Sequence, residues 1–251
     1  MKVTVLQYKL QSDPEKNFAH IETALNETDS DLIVAPELCV SGFQLSDNAA
    51  QAEMSDDFVK QIQIQCKRNS KAFCGSFIRS HLEKYYNQAV LVNSNGNIEA
   101  SYNKKNLISE FNEPFYFSPG KKGGIGKIAG LNVGVGICYD LRFPEVFRTY
   151  AKKEVELMLL LCEWPKERIT QMLTLAKARA IENQCYFIIS NVTGKFLDVS
   201  FGGNSMVISP YGEILENLKS KPGQIDLELD IKDLKAYRKK FRPLYEYSRG
   251  L

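Results

Sequence analysis

Along the chain, the spacing of apolar residues changes between a pattern typical of strands and a pattern typical of helices. Short, nearly continuous apolar runs predict strands that are buried on both faces. The predicted strands are Met1–Tyr8, Leu32–Ala35, Ala72–Phe77, Gln88–Asn93, Ile98–Tyr102, Leu131–Ile137, Leu157–Leu161, Tyr186–Asn191, Val207–Ile208, Ile214–Leu215 and Asp226–Asp230.

Segments with a helical period separate these runs. Asp13 can cap a first helix, with Pro14 in its first turn and apolar side chains on one face. Ser55 can cap a second helix, Pro144 can open a third, and Lys166–Asn183 is the longest helical pattern. A basic segment near the end, residues 235–240, is typical of the last turn of a helix. Strands that alternate with helices predict an α/β fold.

Composition narrows the kinds of partner. The chain has 251 residues, which suits one large α/β domain or two small ones. It carries 32 basic and 30 acidic residues, so no bulk charge attracts nucleic acid or an anionic membrane. No apolar stretch is long enough to span a bilayer, and no cleavage site follows the first strand. Six cysteines without CxxC spacing indicate free thiols in a reducing compartment, which predicts a cytoplasmic protein.

Cys138 is the most informative residue. It follows the apolar run Leu131–Ile137 and comes shortly before Pro144, so it is expected at a sharp turn between a buried strand and a helix. A thiol at this junction points into the crevice beyond the strand ends, where nearby backbone N–H groups favour negative charge. The alternative is a small cysteine buried in the core, which is the commoner role for an isolated cysteine.

A nucleophilic thiol also needs a base. The only histidines, His20 and His81, lie in segments with no surroundings typical of a catalytic base. A Cys–His pair and a histidine zinc site are therefore disfavoured, and the base is expected to be a carboxylate or a lysine.

Two residues meet this need. Glu37 follows the predicted strand Leu32–Ala35 after Pro36, at the edge where open α/β sheets place ligands. Lys104 comes just past the second strand of a hairpin that turns at Asn95-Gly96, and its charge could bind an oxyanion. The alternatives are a turn or helix-capping carboxylate for Glu37 and a solvated loop cation for Lys104.

These three segments together resemble the nitrilase superfamily of carbon–nitrogen hydrolases. The chain has Pro36-Glu37, then Tyr102-Asn103-Lys104-Lys105-Asn106-Leu107, then Cys138-Tyr139-Asp140-Leu141-Arg142-Phe143-Pro144-Glu145, in the family's order and with family-like spacing. Three further segments, 117–120, 178–184 and 203–212, extend the likeness over nearly the whole chain. The resemblance implies one carbon–nitrogen hydrolase domain over residues 1–251, folded as a four-layer α-β-β-α sandwich and assembled as a homodimer.

The resemblance also implies the roles of the residues. Glu37 is the general base, Lys104 and the backbone N–H of Tyr139 bind the oxyanion, and Cys138 is the nucleophile. A second glutamate is expected between the lysine and the cysteine, with Glu113 as the first candidate and Glu110 as the alternative. The family's chemistry requires no metal and no organic cofactor.

The substrate is predicted to be a small amide. Trp164-Pro165 and Arg142 most resemble the omega-amidase-like branch, whose substrates are omega-amides of short 2-oxo acids such as 2-oxoglutaramate. Trp164 could form a wall of the acyl pocket or simply pack. Arg142 could bind a substrate carboxylate or pair with Glu145 or Asp140. The remaining alternatives are a carbamoyl-amine or deaminated-glutathione amidohydrolase, and an inactive superfamily member that acts as a binding protein.

Overall fold

The computed structural model describes residues 1–45 and 47–248. The strands are β1 Lys2–Gln7, β2 Leu32–Val34, β3 Ala72–His81, β4 Lys84–Val92, β5 Ile98–Asn103, β6 Gly124–Ile128, β7 Leu131–Ile137, β8 Leu157–Cys162, β9 Tyr186–Asn191, β10 Thr193–Phe196, β11 Val199–Gly202, β12 Met206–Ile208, β13 Ile214–Asn217 and β14 Gly223–Glu228. The α-helices are α1 Pro14–Glu27, α2 Asn48–Asn69, α3 Glu113–Tyr116, α4 Pro144–Ala151, α5 Ile169–Asn183, α6 Ile231–Lys240 and α7 Pro243–Ser248.

Two six-stranded sheets form the centre of the fold. Their strand orders are β14-β1-β2-β3-β4-β5 and β13-β12-β9-β8-β7-β6. In the first sheet β1, β2 and β3 are parallel, and in the second β7, β8 and β9 are parallel. The carboxyl ends of parallel strands in open α/β sheets are where ligand sites form.

Three apolar layers hold the two sheets and the helices together. Alternate strand residues such as Leu32, Val34, Val135 and Leu159 fill the space between the sheets. The opposite face of the first sheet packs against α1 and α2, through residues that include Ile33. The opposite face of the second sheet packs against α4 and α5. The arrangement is the predicted four-layer α-β-β-α sandwich of the nitrilase fold.

Glycines let one helix approach the strand that leads to Cys138. A Cβ atom on Gly134 would lie 2.6 Å from the ring of Tyr150, and one on Gly136 would lie 2.9 Å from the ring of Phe147. Both aromatic residues belong to α4, so this helix packs closely on β7. This contact fixes the end of β7 against its helix.

Two of the predicted helix boundaries are wrong. α2 begins at Asn48 and is capped by the Asp47 side chain, whereas Ser55 lies buried inside the helix. The segment predicted as one helix over Lys166–Asn183 begins with a 3₁₀ turn, and α5 starts only at Ile169. Within the described ranges, 1–45 and 47–248, no helix has the length and apolar character needed to cross a membrane.

Candidate active site

Three strand ends and the short helix α3 bring Glu37, Lys104, Cys138 and Glu113 together. Glu37 follows β2 in the first sheet, and Lys104 follows β5. Cys138 directly follows β7 in the second sheet. Lys104, Glu113 and Cys138 line one small cavity, together with Tyr139, Phe43 and residues of the segment 163–168.

A buried ion cluster is centred on Lys104. Its ammonium group donates to Glu37 Oε1 at 2.8 Å and to Glu113 Oε1 at 2.5 Å. All three side chains are almost fully inaccessible to solvent. Burial by itself lowers the pKa of Lys104, but the carboxylates of Glu37 and Glu113 and the thiol of Cys138 outweigh it and hold that pKa well above its usual value. Lys104 is therefore a fixed cation beside the thiol.

Further donors hold the two carboxylates in place. Glu37 Oε1 also accepts from Asn87 Nδ2 at 2.7 Å, and Glu37 Oε2 accepts from the backbone N–H of Glu163 at 2.9 Å. Glu113 Oε2 accepts from the backbone N–H of Ile108 at 2.9 Å. Burial raises the pKa of Glu113, against the opposing effect of Lys104. Each carboxylate is thus fixed through both oxygens, which limits rotation of the groups around the thiol.

Cys138 occupies a strained turn. Its φ angle is +42°, in the left-handed region that residues other than glycine seldom adopt. A 3₁₀ helix, Cys138–Arg142, begins at this residue and turns directly into α4. The carboxylate of Asp140 accepts from the backbone N–H of Ile137 at 3.0 Å and thereby fastens the turn to the end of β7.

The surroundings of the Cys138 thiol favour its protonated form. A hydrogen bond with Cys162, burial and the negative charge of Glu37 raise the pKa of Cys138 well above its usual value, against the opposing effect of Lys104. Such a thiol needs a base to remove its proton before it can attack. Glu37 lies close enough for its charge to act on the thiol.

The structure distinguishes the two candidates for the second glutamate. Glu113 points inward to Lys104, whereas Glu110 is exposed and forms an ion pair with Arg168 at 2.5 Å. Between them, Asn112 has a left-handed backbone conformation, with φ +54°, and separates the 3₁₀ turn that contains Glu110 from helix α3. The two side chains therefore point into different surroundings although they are only three positions apart.

Arg142 and Trp164 lie together at the wall of the same cavity. The guanidinium of Arg142 is 5.2 Å from the ring centre of Trp164 and 5.8 Å from that of Tyr139. It donates to Gln171 Oε1 at 2.7 Å. Within residues 1–45 and 47–248 Arg142 forms no ion pair with Glu145, Asp140 or any other carboxylate, although the hydrogen bond from Arg168 and, more weakly, the charge of Arg142 lower the pKa of Glu110.

Trp164 both packs and lines the cavity. It is 2% exposed, and its indole N–H donates to the carbonyl of Arg168 at 2.9 Å. Its backbone N–H donates to Asn191 at 2.8 Å, which fixes the chain just beyond β8. Tyr139 lies in the first turn of the 3₁₀ helix, where backbone N–H groups have no partner within the helix.

The arrangement has the parts of a cysteine-dependent acyl-transfer site, and comparison with known proteins identifies the family. The model of the carbon-nitrogen hydrolase family matches residues 2–239. The chain belongs to this family. It is 29% identical to the 2-oxoglutaramate amidase of Bacillus subtilis (strain 168), over 92% of this chain and 91% of that one. It is 31% identical to the omega-amidase YafV of Escherichia coli (strain K12), over 96% and 94% of the two chains.

A solved structure agrees with these relatives. A glutamate-to-glutamine mutant of the amidase from Nesterenkonia sp. AN1, with the acetamide moiety of fluoroacetamide added covalently at its active-site cysteine, has a TM-score of 0.85 to this chain. The two are 26% identical, and the match covers 100% of this chain and 96% of that one. The family and these relatives identify the chain as an amidase.

Two buried residues of the amidase site, Asn87 and Glu163, were not predicted from the sequence. Asn87 contacts Glu37 from β4, and no feature of the sequence distinguishes it from other strand residues. Glu163 follows the buried strand β8 as Glu37 follows β2, so the same signal, a carboxylate beyond a strand end, was present. Glu163 is 1% exposed and lines the cavity.

Proposed function

We propose that this amidase hydrolyses the omega-amide of a short 2-oxo dicarboxylic acid, such as 2-oxoglutaramate, through a thioester on Cys138. The observation that carries the substrate class is Arg142, a cation that forms no ion pair with a carboxylate among the described residues, at the wall of the cavity that contains the thiol. Burying an anionic substrate requires such a partner. Similarity to a 2-oxoglutaramate amidase and to an omega-amidase supports the same class.

The first half-reaction forms the thioester. Glu37 takes the proton of the Cys138 thiol, and the thiolate attacks the amide carbon. The negative charge that develops on the carbonyl oxygen is stabilised by Lys104 and by the backbone N–H of Tyr139. One such donor contributes roughly 2.7–4 kcal/mol of barrier reduction. Glu37 then passes its proton to the nitrogen, the C–N bond breaks and ammonia leaves.

The second half-reaction releases the acid. Glu37 removes a proton from a water molecule, and the resulting hydroxide attacks the thioester carbon. The bond to sulfur breaks, and Glu37 passes the proton it took from water to the leaving thiolate, which restores the thiol of Cys138. Glu113 keeps Lys104 oriented throughout as a positioning residue, since both of its oxygens are hydrogen-bonded in the resting site.

An ammonia-release assay tests the substrate class. The panel contains 2-oxoglutaramate, a carbamoyl-amine, deaminated glutathione and an aliphatic nitrile. The expected result is that kcat/KM is highest for 2-oxoglutaramate. Preference for the carbamoyl-amine or for deaminated glutathione would assign the chain to that alternative, and no turnover of any compound would favour an inactive binding protein.

Arg142→Met tests the anionic pocket, with Arg168→Met as a matched variant. Both arginines line the cavity, but only Arg168 forms a direct ion pair with Glu110 among the described residues. Arg142→Met is expected to lose most of the preference for a carboxylate-bearing amide over its neutral analogue, and Arg168→Met to keep it. Equal preferences in the two variants would contradict the role of Arg142.

Cys138→Ala tests the nucleophile, with Cys66→Ala as its control. Cys66 is buried among the apolar residues of the layer outside the first sheet, away from the cavity. Cys138→Ala is expected to abolish turnover and Cys66→Ala to retain it. Mass spectrometry of the wild-type protein, incubated with a slowly hydrolysed amide, is expected to show an acyl adduct on the peptide that contains Cys138.

A further inference from the structure

Glu163 carries a buried carboxyl group without a partner. Its backbone N–H donates to Glu37, but neither side-chain oxygen has a hydrogen bond to any residue that the structure describes. The residue is 1% exposed. A buried polar group left unpaired destabilises the folded state, so its position requires an explanation. The proposed chemistry gives Glu163 no role.

The carboxyl group lies where two cavities meet. The cavity that contains the Cys138 thiol has a volume of about 20 Å³, which is enough for roughly one water molecule. An adjoining cavity of about 360 Å³ is lined mainly by apolar side chains, and Phe43, Phe111 and Glu163 border both. An amide larger than water, with its carbonyl carbon at the thiol, needs space beyond the small cavity, and Glu163 lies on the border that this cavity shares with the larger one.

The charge around Glu163 favours its acid form. Burial raises the pKa of Glu163 well above its usual value, and the carboxylates of Glu37 and Glu113 act in the same direction against Lys104. Ionisation would add another negative charge beside a buried cluster in which Lys104 already pairs with two carboxylates. The neutral carboxyl offers one O–H donor to a ligand.

The other acceptors of the proposed substrate already have partners. Its amide oxygen is placed at Lys104 and its carboxylate at Arg142. If the substrate carboxylate lay beside Glu163 instead, the negative charges of Glu37 and Glu113 would repel it. The 2-oxo oxygen, which is neutral and only accepts hydrogen bonds, remains.

We propose that Glu163, in its acid form, determines specificity by donating a hydrogen bond to the 2-oxo oxygen of the omega-amide substrate. This inference rests on the proposed function. It adds that the amidase distinguishes 2-oxo amides from analogues with the same chain length and the same carboxylate.

The test compares three five-carbon omega-amides that differ only at carbon 2. These are 2-oxoglutaramate, glutaramate with a methylene group there, and glutamine with an ammonium group. The kcat/KM of the wild type is expected to be about tenfold or more higher for 2-oxoglutaramate than for glutaramate. This is the effect expected from one hydrogen bond to a buried group. Glu163→Gln retains an N–H donor and is expected to keep most of this ratio. Glu163→Leu has no donor and is expected to lose it.

The ratio of kcat/KM values for 2-oxoglutaramate and glutaramate distinguishes a loss of specificity from a general loss of activity. A variant that folds poorly loses turnover of all three compounds in proportion, whereas loss of the donor changes the ratio. Calorimetric binding of the three compounds to Cys138→Ala, and to Cys138→Ala combined with Glu163→Leu, gives the same comparison without turnover. The preference for 2-oxoglutaramate is expected in the first protein and not in the second.

Three results would overturn the inference. One is an unchanged ratio in Glu163→Leu, and another is equal binding of 2-oxoglutaramate and glutaramate to Cys138→Ala. The third is a preference for glutamine that Glu163→Gln removes, because an ionised carboxylate would then be recognising a cation. Failure of the proposed function has a different signature, since the wild type would then hydrolyse another class of the panel and none of these three amides.

Discussion

The hydroxyl group of Tyr102 donates a 2.7 Å hydrogen bond to Oδ2 of Asp140, and both groups are buried. Tyr102 lies two positions before Lys104, and Asp140 lies two positions after Cys138. The other oxygen of Asp140 accepts from the backbone N–H and the side chain of Asn106, at 3.0 and 2.8 Å. The segment with the cation and the turn with the thiol are thus joined by one carboxylate, although they belong to different sheets.

Tyr102→Phe is expected to lower the free energy of unfolding by about 1–3 kcal/mol, because it removes a donor from a buried carboxylate while keeping the ring. Burial raises the pKa of Asp140, and the Tyr102 hydroxyl opposes this shift. Denaturant unfolding measures the change. Tyr211→Phe is the control, since Tyr211 is 45% exposed and its 3.3 Å bond to Asp233 lies at the surface. Equal stabilities of the two variants would contradict the importance of this link.

The ends of the central strands could be predicted from the sequence because their signals are local. The β7 bounds, Leu131–Ile137, match the predicted apolar run, and Pro36 stops β2 before Glu37. The parallel order of the strands then brings these ends to one edge. The resemblance to a known family provided the layered architecture and the set of residues, which periodicity alone does not determine.

Features that depend on distant contacts could not be predicted. The start of α2 depends on whether Asp47 or Ser55 provides the cap, and Ser55 is instead buried on the inner side of the helix. Glu163 meets Glu37 only because two sheets pack face to face, and no local pattern encodes that distance. The homodimer and the cytoplasmic location stay predictions.

Glu113→Gln is expected to lower kcat about 10²-fold with little change in KM, because an approximately 1 Å displacement of Lys104 would misplace the oxyanion donor. Steady-state kinetics with the best amide of the panel measure this. Glu110→Gln is the matched control, since Glu110 is exposed and bonds Arg168 instead of Lys104. Its kcat is expected to stay near that of the wild type. A larger loss in Glu110→Gln than in Glu113→Gln would reverse the assignment of the second glutamate.

The acid form of Glu163 also makes the stability of the protein depend on pH in a defined direction. An unfolded glutamate has a pKa of about 4.3, and burial raises the pKa of Glu163 well above that in the folded protein. Between these two pKa values the folded state holds a proton that the unfolded state has released, so the contribution of Glu163 to stability falls as pH rises. The slope is about 1.4 kcal/mol per pH unit within that window.

Glu163→Gln removes this dependence, because glutamine does not titrate. Its free energy of unfolding, relative to the wild type, is therefore expected to be higher near pH 7 than near pH 4. Denaturant unfolding at the two pH values measures the difference, and Glu53→Gln, at an exposed position of α2, is the control. The control is expected to show a much smaller change between the two pH values. A constant difference between Glu163→Gln and the wild type would mean that Glu163 titrates alike in the folded and unfolded states, against its burial beside Glu37.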